Sequence, residues 1–257
     1  MRAWRVLHAW GCGVSHEKSG LPYQDCSGWE DLASQEALAL VIADGAGSAS
    51  HAEVGASVAV TVALKMFRER AGERTLPETE TGWWDLLEEG LQQAHAALCQ
   101  EAEQRDLDLR SLATTLALAV ATSSWVMAVQ VGDGAIVVEE ASGALHAVTA
   151  PPGGEYANET TFLTEGTFRQ NAQRGRWQGE VAHVAAFTDG LQRLALKLPE
   201  GTPHPPFFAP LFRFAADLRI SREEAQTQLE GFLRSPRLRE RTDDDLTLIL
   251  ANRIDAK

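Results

Sequence analysis

Apolar runs in this chain end repeatedly at an acidic residue. Ala37 to Ala43 is apolar throughout and reads as a buried strand, which stops at Asp44-Gly45-Ala46-Gly47. Behind this turn, Ser50-His51-Ala52-Glu53 has the form of a capping box. Val54, Val58, Val62 and Met66 then recur every four residues, with Leu64 and Phe67 widening the face, so a helix is predicted. Val184 to Phe187 repeats the device, running into Thr188-Asp189-Gly190 and a helical pattern from Leu191. Val129-Gln130-Val131 leads into Gly132-Asp133-Gly134. Thr242-Asp243-Asp244-Asp245 inverts the order, with the apolar run Leu246 to Ala251 after the acids.

The remaining pattern fills in around these points. Arg2 to Gly13 alternates loosely and predicts a first strand, and Gly13 to Asp25 is a polar loop that closes on another acid. A second helix is predicted from Trp83 to about Arg105, with Trp84, Leu87, Leu91, Ala94 and Leu98 at three-and-four spacing. In Ser111 to Val120, Leu112, Thr114, Leu116, Leu118 and Val120 share one face. The alanines and Thr115 share the other, where a helix is expected to pack closely. Trp125 to Val131, Ala135 to Glu140 and Leu145 to Thr149 read as hairpin strands. Pro151 to Gly154 ends that run, and Glu155 to Thr160 leads to a short strand near Phe162. Leu191 to Arg234 reads as mainly helical, broken at Pro203 to Pro206, before a last strand over Asp244 to Asn252. Strands come in runs and helices in pairs. That suits an α+β sandwich of antiparallel sheets covered by helices, not a βαβ winding.

A lone Asp-Gly after a strand most often just opens a turn. Here four acidic points at strand ends, spread over about two hundred residues, point to one site assembled by the fold. Carboxylates, with the Gly45 carbonyl as a further oxygen, suit a hard divalent cation. No His/Cys cluster of zinc type accompanies them. His51, His95, His146, His183 and His204 read as surface or satisfied side chains.

Composition narrows the classes. The length of 257 residues and the lack of any Pro/Ser/Gly linker predict a single domain over 1–257. The formal net charge of −13 argues against nucleic acid or anionic membrane as partner. No stretch reaches transmembrane length and the start lacks a signal peptide's apolar core. Cys12, Cys26 and Cys99 read as reduced thiols of a cytoplasmic protein.

Taken in order, Gln24-Asp25, Asp44-Gly45-Ala46-Gly47, Ser111-Leu112-Ala113-Thr114-Thr115, Gly132-Asp133-Gly134, Thr188-Asp189-Gly190 and Asp244-Asp245-Leu246-Thr247 resemble the metal-dependent protein phosphatases of the protein phosphatase 2C family, in its compact bacterial branch. Each motif is short, but together they come in the family's order, and the resemblance spans residues 13 to 251. The resemblance implies a four-layer α-β-β-α sandwich. It implies hydrolysis of phosphoserine and phosphothreonine, with Mn²⁺ or Mg²⁺ as cofactor, two ions and a place for a third. It implies that Asp44 bridges two ions, that the Gly45 carbonyl binds one, and that Asp189 and Asp244 complete the first ion's protein ligands. Asp133 matches the third-ion ligand, sharing Asp189, and Asp25 orients water from behind the ligands. The implied nucleophile is a hydroxide held between two ions about 4 Å apart, since such ions lower the pKa of water toward about 7. The implied partner is a phosphorylated protein, such as a Ser/Thr kinase or its target.

The chain departs from the family in places. Many members have an Arg upstream of the Asp25 position that grips phosphate, but none lies between Arg5 and Asp25, which leaves His16 or Lys18 as substitutes. Ala46 stands where eukaryotic members have a His, so the general acid is unassigned. The family's Asp-Asn is Asp244-Asp245 here, and Gly134 replaces the usual Ser. A haloacid-dehalogenase-like enzyme with Asp44 as nucleophile wants a second Asp where Ala46 stands, and no P-loop motif is present. A catalytically weak phosphatase fold used for binding or sensing is the remaining alternative. Such a module is expected to lose metal acids, and Asp44, Asp133, Asp189 and Asp244 all stand.

Overall fold

The apolar runs become the inner strands of two five-stranded antiparallel sheets. The computed structural model describes residues 2–32, 36–151 and 160–255. β1 (Arg2–Gly11) leads to a short helix α1 (Val14–Ser19), then to β2 (Cys26–Leu32) and β3 (Ala37–Ala43). Two long helices follow, α2 (Ala52–Gly72) and α3 (Glu80–Arg105). A 3-10 turn at Leu109–Leu112 enters β4 (Leu116–Ala121) and β5 (Trp125–Val131), and the chain crosses to β6 (Ala135–Glu140) and β7 (Leu145–Thr149). Then come α4 (Phe168–Asn171), β8 (Gln173–Gln178) and β9 (Val181–Phe187). A second 3-10 turn at Asp189–Leu191 opens α5 (Gln192–Ala195), the two-strand ribbon β10 (Leu196–Lys197) and β11 (Thr202–Pro203), and α6 (Pro205–Ala215). α7 (Arg222–Leu233), α8 (Pro236–Arg239) and β12 (Leu246–Asp255) complete the order.

One sheet runs β1-β12-β9-β6-β7 and the other β2-β3-β4-β5-β8. Their inner faces meet through Leu38, Leu40, Ile42, Ala117, Ala119, Ile136, Val138 and Ile249. α2 and α3 cover the outer face of the β3 sheet, and α5, α6 and α7 cover the outer face of the β12 sheet. This gives the four α-β-β-α layers. All seven residues of β3 are buried because the strand is covered on both sides, which explains its unbroken apolar run.

Several expectations need correction. The alanines of β4 face the opposite sheet, while Leu116, Leu118 and Val120 face the helices. Small side chains let the two sheets close on each other instead of admitting a helix. On α2 the buried stripe is Ala56, Ala59, Ala63, Met66 and Phe67, with Val54 and Val58 only half-buried. The alanine stripe meets the sheet, and the valines lean on the flank. The capping box does not form: Ser50 Oγ pairs with His51 Nδ1 at 2.9 Å, and the His51 N–H donates to the Ser111 carbonyl at 2.9 Å, so the helix begins at Ala52. The loop Gly13 to Asp25 contains α1, and the Leu191 to Arg234 segment contains the β10–β11 ribbon. Phe162 lies in no strand; its N–H donates to Glu165 Oε1 at 2.9 Å. The turn read at 152–154 and the lead-in over 155–159 lie outside the described residues.

Candidate metal centre

Antiparallel pairing puts the acids at one end of the sandwich. Cys26 pairs with Ala43, so Asp25 before β2 and Asp44 after β3 are neighbours. Phe187 pairs with both Leu248 and Ala135, which brings Asp189 after β9, Asp244 before β12 and Asp133 before β6 to the same end. One carboxylate oxygen from each of Asp44, Asp133 and Asp189 lies within 4.8 Å of the others. Asp244 falls outside that group, yet its charge pushes Asp44, Asp133 and Asp189 upward in pKa. Its Oδ1 accepts the Asp245 N–H at 2.9 Å.

Each acid is held by its backbone or by hydroxyl groups. The Asp44 carbonyl accepts the Thr115 N–H at 2.8 Å and Thr114 Oγ1 at 2.9 Å, and the Asp44 N–H donates to Thr115 Oγ1 at 2.9 Å. The Thr-Thr pair therefore fixes Asp44 across strands. Gly45 follows at a point of close approach, where a Cβ would stand 2.6 Å from the Gln24 carbonyl oxygen and 2.7 Å from that of Ala52. Thr160 Oγ1 donates to Asp133 Oδ2 at 2.9 Å, and Gln192 Nε2 donates to the Asp133 carbonyl at 2.6 Å. Asp25 Oδ2 accepts Thr188 Oγ1 at 2.8 Å and Thr247 Oγ1 at 2.6 Å, and Tyr23 Oη donates to Thr247 in turn.

The electrostatics are those of an unneutralised acid cluster. Burial, then the charges of Asp25 and Asp189, raise Asp44 well above the ordinary carboxylate range. The Asp189 carboxylate beside it adds to the rise of Asp44. Burial is also the main cause that lifts Asp189 to about 6, with Asp133 and Asp244 adding to it. Burial pushes Asp25 to about 8 against the pull of the Thr247 and Thr188 hydroxyls, with Asp245 and Asp189 adding like charge. Asp133 is raised by burial and partly restrained by Thr160. Asp25 Oδ1 and Asp189 Oδ1 are buried without a hydrogen-bond partner. Unpartnered buried oxygens and repelling carboxylates are the donor set that a hard divalent cation satisfies.

Two side chains have roles that their sequence context concealed. Asp245, 2% exposed, accepts the Gly13 N–H at 2.7 Å with Oδ1 and the Gln24 N–H at 2.6 Å with Oδ2. It thereby ties both ends of the α1 loop to the start of β12. Gly13 is needed for this closeness, since a Cβ there would meet the Asp244 carbonyl carbon at 2.5 Å. Gln130 is buried in β5; its Nε2 donates to the Gly134 carbonyl at 2.7 Å and its Oε1 accepts Thr149 Oγ1 at 2.7 Å, bracing the turn that carries Asp133. A lone amide between two valines was the available signal. His16 is also buried, with Nδ1 3.0 Å from Asp245 Oδ2 but off the hydrogen-bond direction. Lys18 is exposed on α1. Arg5 points away, donating to the Asp217 and Ile220 carbonyls at 3.1 and 2.8 Å.

Comparison with known proteins agrees with this geometry. Residues 12–234 match the family Protein phosphatase 2C. The chain is 36% identical over 255 residues to serine/threonine-protein phosphatase 3 of Escherichia coli (strain K12), covering 97% of this chain and 98% of that one. The serine/threonine phosphatase Stp1 from Staphylococcus aureus is similar in structure, with a TM-score of 0.66 at 15% identity over 98% of this chain and 95% of that one. The catalytic domain of the serine threonine protein phosphatase PstP, solved with 2 manganese ions, gives a TM-score of 0.62 at 16% identity over 99% of this chain and 100% of that one. These structural likenesses bear on the fold, and the sequence matches bear on descent. The chain belongs to the protein phosphatase 2C family.

Proposed function

We propose that this protein is a Mn²⁺- or Mg²⁺-dependent phosphatase of phosphoserine and phosphothreonine in proteins, working as one domain over 1–257 in the cytoplasm. The observation that supports this most is the convergence of Asp44, Asp133 and Asp189 within 4.8 Å around unpartnered buried oxygen. Asp44, the Gly45 carbonyl, Asp189 and Asp244 would hold two ions, and Asp133 would hold a third. Bound ions of this kind supply Lewis acidity, polarising a phosphoryl oxygen and bringing the ionisation of water near pH 7. Asp25 presents Oδ1 as a buried acceptor that orients water, while Thr188 and Thr247 fix its other oxygen. The expected substrate is a phosphorylated protein, a Ser/Thr kinase or its target among them. Release of phosphate from a phosphothreonine peptide should stop in EDTA and return with Mn²⁺. Full activity in EDTA would refute the reading.

Unlike the side chains of Asp44, Asp189 and Asp244, that of Asp133 takes a hydroxyl hydrogen bond, from Thr160. Asp133→Ala should keep two tight Mn²⁺ sites by calorimetry while turnover falls roughly a hundredfold, the scale for losing one electrostatic stabiliser of a transition state. Loss of both tight sites would overturn this division of roles.

Of the two candidates for the phosphate contact, Lys18 is exposed and His16 is packed against Asp245. Lys18→Ala should raise KM roughly threefold to tenfold with little change in kcat, the signature of lost uniform binding. His16→Ala should lower the melting temperature and leave KM near wild type. A KM that rises only in the His16 variant would reverse the assignment.

A further inference from the structure

On the far side of the β12 sheet's helical layer lies a pit of about 580 Å³, walled by α5, α6, α7 and α8. α6 supplies apolar side chains both to the core and to this pit. Phe208 and Phe212 are buried in the core against the sheet. Phe207, Phe214, Leu194 and Phe232, which are only partly buried, border the pit together with the core residues Leu211 and Leu229. α6 keeps Arg213 exposed, but Phe207 and Phe214 are only partly covered, and they line this cavity.

The rim has the opposite character from the rest of the chain. Arg193, Arg237 and Arg241 line the pit, and no Asp or Glu lines it. Among the described residues these three arginines make no ion pair, whereas Arg68, Arg70, Arg105, Arg174, Arg176, Arg219 and Arg239 each do. In a chain of net charge −13, three unpaired cations around one apolar cavity form a local field for an anion. His204 also lines the pit, and its Nδ1 is buried without a hydrogen-bond partner. The volume lies in the range of small-molecule sites, as does a mostly apolar lining with a few convergent polar groups. Its volume is that of a site for one compact molecule.

We propose that this pit binds a small apolar organic anion, an aromatic or aliphatic carboxylate or sulfonate. The rings of α6 and α7 would take the apolar body, and Arg193, Arg237 and Arg241 the charged head. The proposal does not depend on the phosphatase reading, since none of these residues belongs to the acid cluster.

The test is a fluorescence titration of the folded chain with 8-anilinonaphthalene-1-sulfonate and with its neutral analogue N-phenyl-1-naphthylamine. Saturable binding at one site is expected, displaced by decanoate. The triple variant Arg193→Ala, Arg237→Ala, Arg241→Ala removes only exposed side chains, and its fold is checked by its melting temperature. It should weaken the sulfonate tenfold or more and the neutral analogue less than threefold. Binding should persist in EDTA and in Asp44→Asn. No saturable binding would overturn the proposal. So would equal weakening of the two probes, or loss of binding in Asp44→Asn, which would place the probe at the acids.

Discussion

In EDTA, Asp44→Asn is expected to melt about 2–4 °C above the wild-type chain, and in excess Mn²⁺ well below it. The metal-free fold holds Asp44, Asp133 and Asp189 within 4.8 Å of one another, with Asp25 and Asp244 adding like charge. The unfolded chain relieves that repulsion, so the cluster destabilises the apo fold. Aspartates of the unfolded chain titrate near 3.9, roughly. In the fold, burial lifts Asp189 to about 6 and Asp25 to about 8. Between these values the folded protein holds more protons than the unfolded one. The contribution of these two groups to metal-free stability is therefore fully present below pH about 4 and is lost as pH rises through 6 and toward 8. Asn at position 44 removes the most crowded charge, which should raise the apo melting temperature and flatten its decline with pH. Mn²⁺ acts in the other direction because it binds only the folded form. At a concentration of 100 Kd one site adds about 2.7 kcal/mol, or roughly 5–10 °C for a domain of this size. Asp44→Asn should forfeit nearly all of that rise. Melts in EDTA and in Mn²⁺ at pH 5, 6.5 and 8 decide the matter. A variant that gains as much from Mn²⁺ as wild type does would remove Asp44 from the metal centre.

The parts of this molecule that could be read from sequence are those whose burial is complete. β3 and β4 are covered on both faces, so their apolar runs stand out. The edge strands β2 and β8 do not stand out in the sequence, for the converse reason. Cys26-Ser27-Gly28-Trp29-Glu30-Asp31-Leu32 and Gln173-Arg174-Gly175-Arg176-Trp177-Gln178 each have one partly exposed face, and their sequences mix charge, glycine and tryptophan. The sequence of α1 reads as loop because so short and mostly polar a helix has too little periodicity to detect. The acids were legible because strand ends mark where side chains converge. What sits behind them was not, because its partners are remote in sequence. In the sequence Asp245 is simply a further acid beside Asp244. Its function depends on N–H groups 232 and 221 residues away, at Gly13 and Gln24.

That placement makes Asp245→Ala the second substitution of large effect, with a signature opposite to that of Asp44→Asn. The carboxylate takes the Gly13 N–H at 2.7 Å and the Gln24 N–H at 2.6 Å, with His16 Nδ1 at 3.0 Å, in a site 2% exposed. Alanine leaves two buried donors without an acceptor, each costing about 1–3 kcal/mol. Part of this is returned, because Asp245 also repels the buried Asp25. A net loss of about 3 kcal/mol corresponds to a fall of roughly 6–12 °C. A backbone tether does not distinguish the metal-free from the metal-bound fold, so the fall should be similar in EDTA and in excess Mn²⁺. Asp245→Asn should lie between, since its amide keeps one carbonyl acceptor and turns an NH₂ toward the other N–H. The tether also sets the segment that delivers Asp25, so kcat should drop in both variants while calorimetry still finds two tight Mn²⁺ sites. If Asp245→Ala loses the Mn²⁺-dependent rise, as Asp44→Asn should, then Asp245 is a metal ligand and the tether is incidental. If it melts within about 2 °C of wild type in both conditions, the two N–H groups find other acceptors and Asp245 anchors nothing.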